Sequence, residues 1–195
     1  SLYDPLTTIR DNYKLKMDKK WNIQGYMSYK FAKHFTARVD LGYQSRHIST
    51  DRYYGPTTYF ARNTGRPGIE GGTAQLQVTD EYSTVLTNHN TLEWKQTFES
   101  DHNVSVLVGE ETVIRKGETK NQYGFGYKGS YDVLNGEIFN YLGQAAYSEF
   151  TNYVDPRDNQ LSFLARANYD YKGRYYITAT FRADCSTRFA EGNQW

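Results

Sequence analysis

Few residues in this chain have the spacing that bond-making chemistry needs. The run GFGYKG, Gly124 to Gly129, has the form of a phosphate-cradling glycine loop. Such a loop needs a strand before it, a helix after it and an acid further on. The next residues, SYDVLNGEIF, offer no helix start, so the run reads as a flexible loop. His34, His47, His89 and His102 never stand at i, i+4, and none flanks a cysteine. They make a poor metal set. Asp155, Arg157 and Asp158 in VDPRDNQ could share a loop Ca²⁺, but acids beside a proline read more readily as turn formers. The single cysteine, Cys185, excludes an internal disulfide framework. Asn103-Val104-Ser105 has the form of a glycosylation sequon. No serine or acid has a base at nucleophile spacing. The expectation is a protein that is not an enzyme, with no catalytic residue, no metal and no cofactor.

Charge and aromatic placement say more. Arg38 with Asp40, Glu93 with Lys95, Arg166 with Asp170 and Arg182 with Asp184 stand two or four residues apart. On a strand such pairs share one face. They read first as a structural charge network on a wet surface and second as a path for polar substrate. Tyr53, Tyr54, Tyr59 and Phe60 form one aromatic group; Phe139, Tyr141, Tyr147, Phe150 and Tyr153 form another. Both fall in long connections, where the rings would pack on their own loops, dock a partner, or receive substrate. The basic run YKLKMDKKW, Tyr13 to Trp21, reads as a solvated loop entering a strand.

The elements that carry these residues alternate with period two. In WNIQGYMSYKF, Trp21 to Phe31, every odd position is apolar or Gly and every even one can hydrogen-bond. Phe35–Tyr43, Leu92–Phe98, Val104–Val108, Phe163–Tyr171 and Tyr175–Ala183 repeat the pattern. No apolar-phase position in these six segments is Lys, Arg, Asp or Glu. Yet the mean hydropathy is -0.81 and the net charge only +1, so neither a large apolar core nor a bulk case for nucleic acid exists. No run is apolar enough for a transmembrane helix, which leaves a membrane β-barrel open.

The connections favour that barrel. Short gaps at 32–34, 99–103 and 172–174 alternate with long ones at about 44–91 and 109–162, so all short turns lie at one end. Short periplasmic turns and long extracellular loops are the habit of outer-membrane barrels. The apolar face then meets lipid and the polar face a wet lumen. Trp21, Phe31, Phe35, Trp94, Phe98, Tyr169, Tyr171 and Tyr175 are expected in the periplasmic aromatic girdle. The predicted class is all-β: an antiparallel up-and-down transmembrane β-barrel segment of about six strands in three hairpins. A closed bacterial barrel needs at least about eight strands. Chain ends without Met, signal peptide or compositional taper fit the same expectation, that residues 1–195 are part of a barrel whose plug and remaining strands lie elsewhere.

LSFLARANYDYKGRYYITATFRADCSTRFAEGNQW, Leu161 to Trp195, resembles the barrel of SusC/RagA-type TonB-dependent transporters of Bacteroidetes. The matching positions are Arg166, Asn168, Tyr169, Tyr171, Tyr175, Thr178, Arg182, Asp184, Ser186, Phe189 and Trp195. NTLEWKQTFESDHNVSVLVGEET, residues 90–112, and SLYDPLTTIRDN at the start resemble an upstream hairpin and a loop of that family. Cys185 departs from the pattern, standing where the family usually has Gly, and so raises a question about a bulge there.

The resemblance implies a plugged barrel of about 22 strands in the bacterial outer membrane. It implies import of oligosaccharides or peptides, a SusD-like surface lipoprotein as lid, and a TonB complex acting through a segment outside these residues. Tyr53, Tyr54, Tyr59, Phe60, Phe139, Tyr141 and Tyr147 are the candidate substrate or lid contacts. Arg38, Asp40, Glu93, Lys95, Arg166, Asp170, Arg182 and Asp184 are the candidate lumen charges. The competing readings are a secreted all-β glycan-binding module and an outer-membrane barrel enzyme.

Overall fold

The computed structural model describes residues 4–63, 66, 68–128, 132–156 and 158–187. Phe189 and Trp195 of the family pattern, Arg157 of the acidic turn, Gly129 of the glycine run and the first three residues lie outside these. A short helix α1 (Pro5–Arg10) precedes β1 (Asn12–Phe31) and β2 (Phe35–Tyr54). Helix α2 (Tyr59–Arg62) leads to β3 (Ala74–Phe98) and β4 (His102–Tyr127). A 3-10 helix (Glu137–Gln144) precedes β5 (Tyr147–Val154), β6 (Asp158–Tyr171) and β7 (Tyr175–Ser186). The strands form one antiparallel sheet in the order β1-β2-β3-β4-β6-β7, with β5 paired on β4. The sheet does not close among the described residues.

All six expected segments are strands, and β1 to β4 run well beyond their expected ends. The seventh strand lies within the expected loop 109–162. It does not add a span. β4 pairs with β6 through His102–Arg115 and with β5 through Glu118–Phe125. β5 and β6 thus share one ladder position, interrupted at Asp155-Pro156, where Pro supplies no backbone donor. Opposite the break, Gly117 accepts from the Asp155 amide at 2.9 Å. A side chain at Gly117 would overlap the Asp155 carboxylate.

Two hairpin turns put a pair of residues in the left-handed region and close with a hydrogen bond from the fourth residue to the first. Glu99 and Ser100 have φ of 49° and 62°; Lys172 and Gly173 have 54° and 64°. The Asp101 amide reaches the Phe98 carbonyl at 3.2 Å and that of Arg174 reaches Tyr171 at 3.0 Å. Ala32 and Lys33, at 49° and 64°, bend β1 into β2. This twist matches that of the flanking strands, which is why tight hairpins adopt it even with non-glycine residues. Asp170 reinforces the last turn by accepting the Gly173 amide at 2.8 Å.

The chain divides into two compact units. The second comprises Trp21–Ser45, Ser83–Lys116 and Pro156–Trp195. Its register aligns like faces: Val106 opposes Ala167, which opposes Ala179, while Ser105 opposes Asn168, which opposes Thr178. Its apolar face is bare. Ile23, Met27, Ile177 and Phe181 are 64–76% exposed. Burying side chains of this size is worth about 1.5–3 kcal/mol each, so a face left this open in water would forfeit what folding normally gains. On β4 the first charge on this phase is Glu110, opposite Phe163.

Two expectations need correction here. Trp21 lies at the opposite end of its apolar run from the short turn, ten residues before Phe31, and packs on Tyr43 with ring centres 5.3 Å apart. It therefore does not join the girdle near the turns, where Phe31 stacks on Phe35 and Trp94 packs on Phe98. Cys185 pairs with Leu161 in regular ladder and has no positive φ, so no bulge forms there.

The first unit comprises Ser1–Lys20, Arg46–Tyr82 and Gly117–Asp155. It holds a small core: Ala74, Leu76, Tyr127 and Ile138 are buried, with Tyr53, Phe139 and Leu142 packed around them. Gly124 to Tyr127 is strand rather than loop, with Gly126 left-handed at φ 77°. Regular alternation would put Phe125 and Tyr127 on one face; the departure at Gly126 separates them, so that Phe125 lines a recess with Tyr54 while Tyr127 joins the core with Leu76.

Candidate functional site

The candidate site is the polar face of the strands, described unit by unit. In the second unit it carries two recesses. One, of about 810 Å³, is lined by Gln24, Tyr26, Arg38, Asp40, His89 and Glu111. The Arg38 guanidinium donates to both Asp40 oxygens at 2.8 Å and lies 4.0 Å from the Tyr26 ring centre. The other, of about 660 Å³, is lined among others by Lys95, Thr97, Asn103, Ser105, Asn168 and Asp170. There Asn168 donates to Ser105 at 3.1 Å and accepts from Thr178 at 2.9 Å.

Three of the four expected charge pairs are ion pairs. Besides Arg38 with Asp40, Lys95 meets Glu93 at 3.2 Å and Arg182 meets Asp184 at 3.1 Å. Arg166 and Asp170 do not pair; Asp170 serves the β6–β7 turn instead. The bonded pairs hold polar side chains flat against the strands, and exposed pairs of this kind add at most about 1 kcal/mol each. Their geometry supplies hydrogen-bonding groups and no nucleophile.

In the first unit a recess of about 270 Å³ is lined by Tyr54, Phe60, Arg66, Gln75, Gln77 and Tyr123, among others. Residues 55–63 and 68–73 fold onto this polar side. Gln75 donates its amide to the Phe60 carbonyl at 2.6 Å, and the Gly72 amide reaches the Ala61 carbonyl at 3.0 Å. Thr58 caps α2 by accepting the Ala61 amide. Arg66 bonds Glu149 of β5 at 2.5 Å and stacks over Phe125.

The candidate aromatics separate. Tyr54 and Phe60 sit together at 4.8 Å in the recess. Tyr59 stands beside Phe60 with its ring on edge and is 66% exposed. Tyr147 lies on β5 against Phe125, and Tyr141 is exposed in the 3-10 helix. Tyr53 and Phe139 belong to the small core, so they pack on their own chain. Burial pushes the Tyr53 phenol up, with a smaller push from Asp11.

Residues 13–20, expected as a loop, are part of this face. They belong to β1, and Lys14, Lys16 and Lys20 fall on the phase of Asp18. Asp18 receives two hydrogen bonds from Arg46 of β2, at 3.0 and 2.6 Å. These bonds hold its carboxyl below the usual range; desolvation opposes them, and the charges of Arg46, Lys16 and Lys20 add smaller contributions in the same direction as the bonds. The signal in the sequence is the alternation Lys-Leu-Lys-Met.

The histidines are dispersed. His34 contacts the Lys95 carbonyl at 3.0 Å, His47 contacts Asp80 at 2.9 Å, and His102 contacts the Tyr169 hydroxyl at 2.6 Å. Asp158 is 3.8 Å from Arg115, and Asp155 packs against Gly117. Among the described residues no three His, Cys, Asp or Glu side chains converge as a metal would need.

A two-faced antiparallel sheet with a bare apolar side and short turns at one end defines a transmembrane β-barrel wall. Comparison with known proteins narrows the class. No family model matches the chain. TonB-dependent receptor P39 of Formosa agariphila is 28% identical over 174 residues, which are 89% of this chain and 15% of that protein. TonB-dependent receptor P3 of the same organism is 25% identical over 170 residues, 87% of this chain and 16% of that protein. The chain thus spans about a sixth of the curated relatives it matches. Structures of the RagAB peptide importer in its closed-closed and open-open states superpose with a TM-score of 0.77 at 20% and 19% identity, covering 95% of this chain and 19% of theirs. The chain is similar in sequence to part of these TonB-dependent receptors, and its sheet has the fold of a segment of the RagAB barrel wall.

Proposed function

We propose that the protein carrying this segment imports a polar nutrient, an oligosaccharide or a peptide, across the bacterial outer membrane. Residues 1–195 form part of the barrel wall; the plug and the remaining strands lie elsewhere in that protein. A TonB complex acting on the plug provides the force, and a SusD-like surface lipoprotein closes over the long loops. The observation that carries this reading is the pairing of an uncharged, solvent-bare face with a hydrogen-bonding face on the same strands. It is supported by the match to an importer whose solved structures bear a peptide-transport name. Within the segment, Tyr54, Tyr59, Phe60 and Tyr147 are the rings placed to meet substrate or lid. Arg38, Asp40, Glu93, Lys95, Arg182 and Asp184 keep the lumen wall wet and ordered. No residue makes or breaks a bond.

The test is the full-length protein expressed in a Bacteroidetes host. It should fractionate with the outer membrane, co-purify with a surface lipoprotein, and take up a labelled oligosaccharide or peptide only when TonB is present. If residues 1–195 alone form a monomer in water that melts cooperatively without detergent, the barrel reading is wrong and a soluble binding module takes its place. Hydrolysis of the substrate without TonB would instead point to a barrel enzyme.

A further inference from the structure

The polar phase of β1 and β2 in the first unit is strongly cationic. Lys14, Lys16 and Lys20 alternate along β1, and Arg46 and Arg52 stand on the same phase of β2. Phase is fixed by contacts within the unit. Asp18 bonds Arg46, and Arg52 lies over the Tyr54 ring at 5.0 Å, beside the recess Tyr54 lines. Asp18 neutralises Arg46, and Glu81 is a second acid near that arginine. Lys14, Lys16, Lys20 and Arg52 form no ion pair among the described residues. The Arg52 Nε is buried and has no hydrogen-bond partner. The opposite phase shows no such bias: there Lys19 and Lys120 are matched by Asp51, Asp80 and Glu118.

A mixed surface would interleave signs to satisfy itself, as the apolar phase does with Lys120 and Glu118. A run of cations on one phase, with the Arg52 guanidinium in no ion pair beside an aromatic recess, is arranged for an incoming anion. Side chains two apart on a strand repeat at about 7 Å, so Lys14 and Lys16 meet successive charges on an extended chain.

We propose that this wall selects substrates carrying repeated anionic groups, carboxylate or sulfate, over neutral ones of the same size. The proposal rests on the importer reading above and deepens it by naming the charge of the substrate. Lys14, Lys16 and Lys20 attract the chain, and Arg52 donates to an anionic oxygen beside Tyr54.

The experiment measures binding of purified full-length protein in detergent to four probes: sulfated and neutral dextran oligomers of equal length, and glutamate-rich and glutamine-rich peptides of equal length. A charged probe should bind at least several-fold better than its neutral counterpart, and more weakly as salt rises. Lys14→Gln, Lys16→Gln and Lys20→Gln combined should weaken the charged probe about tenfold, since exposed pairs each contribute a fraction of that free energy. The neutral probes should be unchanged. Asp18→Asn, which removes an acid from the wall, should tighten charged-probe binding about threefold by the same reasoning. A response to the sulfated dextran alone, or to the glutamate peptide alone, identifies the source of the anion. Equal binding of charged and neutral probes overturns the proposal, as does a triple variant or an Asp18→Asn variant that leaves charged-probe affinity unmoved. Charged-probe binding by a protein that never imports would sink the transport reading and leave this one standing.

Discussion

Met27 and Ser28 are neighbours in β1, both exposed, and they point to opposite faces. Met27 is on the bare apolar phase with Ile23 and Tyr29; Ser28 is on the phase of Gln24 and Tyr26, which line a polar recess. Met27 stands four residues before Phe31, where the strand enters its short turn. Four residues advance about 14 Å along a strand, and a tilt near 40° reduces that to about 10 Å of height. A barrel's apolar band is about 25 Å tall, so Met27 lies near its middle. An arginine there is expected to cost about 2–4 kcal/mol, roughly 30- to 1000-fold in the folding equilibrium, whereas an arginine facing the lumen has no such cost. The measurement is denaturant-driven unfolding of the full-length barrel from lipid vesicles, comparing Met27→Arg with Ser28→Arg. A nitroxide at Ile23, Val106 or Ile177 gives an independent reading and should report hydrocarbon. Equal penalties for the two arginines, or a larger one at Ser28, would refute the assignment of faces, and so would water at those nitroxides.

Other substitutions test the first unit. Gly126 is left-handed at φ 77°, and a Cβ there would come within 2.8 Å of the Ala146 methyl. Gly126→Ala should destabilise the end of β4 by about 1–3 kcal/mol, read as faster amide exchange in 120–128 of the full-length protein. Leu76 is 1% exposed, and Leu76→Ala should loosen the 3-10 helix against the sheet at a cost of about 2–5 kcal/mol, read as protease cleavage within 132–146. Asp51 has its carboxyl pushed up, first by burial and then by Asp80. A raised folded value means that the native state holds this proton more tightly than the unfolded chain does. The charge therefore weakens the fold at neutral pH, and the penalty fades as pH falls through the raised value toward the ordinary carboxylate range. Asp51→Asn should be the more stable protein at neutral pH, with the gap closing on acidification in paired melts.

The spans are legible in the sequence because lipid enforces a strict contrast: Trp21–Phe31 carries no charge on one phase and a hydrogen-bonding group at every position of the other. The contrast ends where the strands leave that environment. Lys19, Asp51, Asp80 and Glu118 put charge on the apolar phase, so period two persists in the backbone but vanishes from the hydropathy. That is why hydropathy ends β1 to β4 too early, and why Lys14, Lys16 and Lys20 read as loop. β5 is invisible for a related reason. Tyr147 and Tyr153 fall on one phase and Phe150 and Val154 on the other, so aromatic and aliphatic residues occupy both. The turns carry a weak signal as well: Ala32-Lys33 and Glu99-Ser100 lack the Gly or Asn that usually marks left-handed positions, and only Lys172-Gly173 carries it.

The aromatic candidates show what sequence adjacency conceals. Tyr53 and Tyr54 are consecutive, yet one enters the small core and the other lines the recess. Each long connection takes one of these sides. Residues 132–146 bring Ile138 and Phe139 onto the side of Tyr53 and Leu76, where apolar surface exists in a region too charged to be covered by lipid and so must be covered by the chain itself. Residues 55–63, 66 and 68–73 fold onto the side of Tyr54 and Gln75, where the contacts are amide to carbonyl and arginine to glutamate, bonds that leave room for a polar visitor. Which rings are structural and which are available thus depends on the phase of a strand extension that hydropathy does not mark. Once β2 is carried to Tyr54 the division is set: odd-numbered Tyr53 is spent on packing, and even-numbered Tyr54 joins Arg52 on the face where the unpaired cations stand.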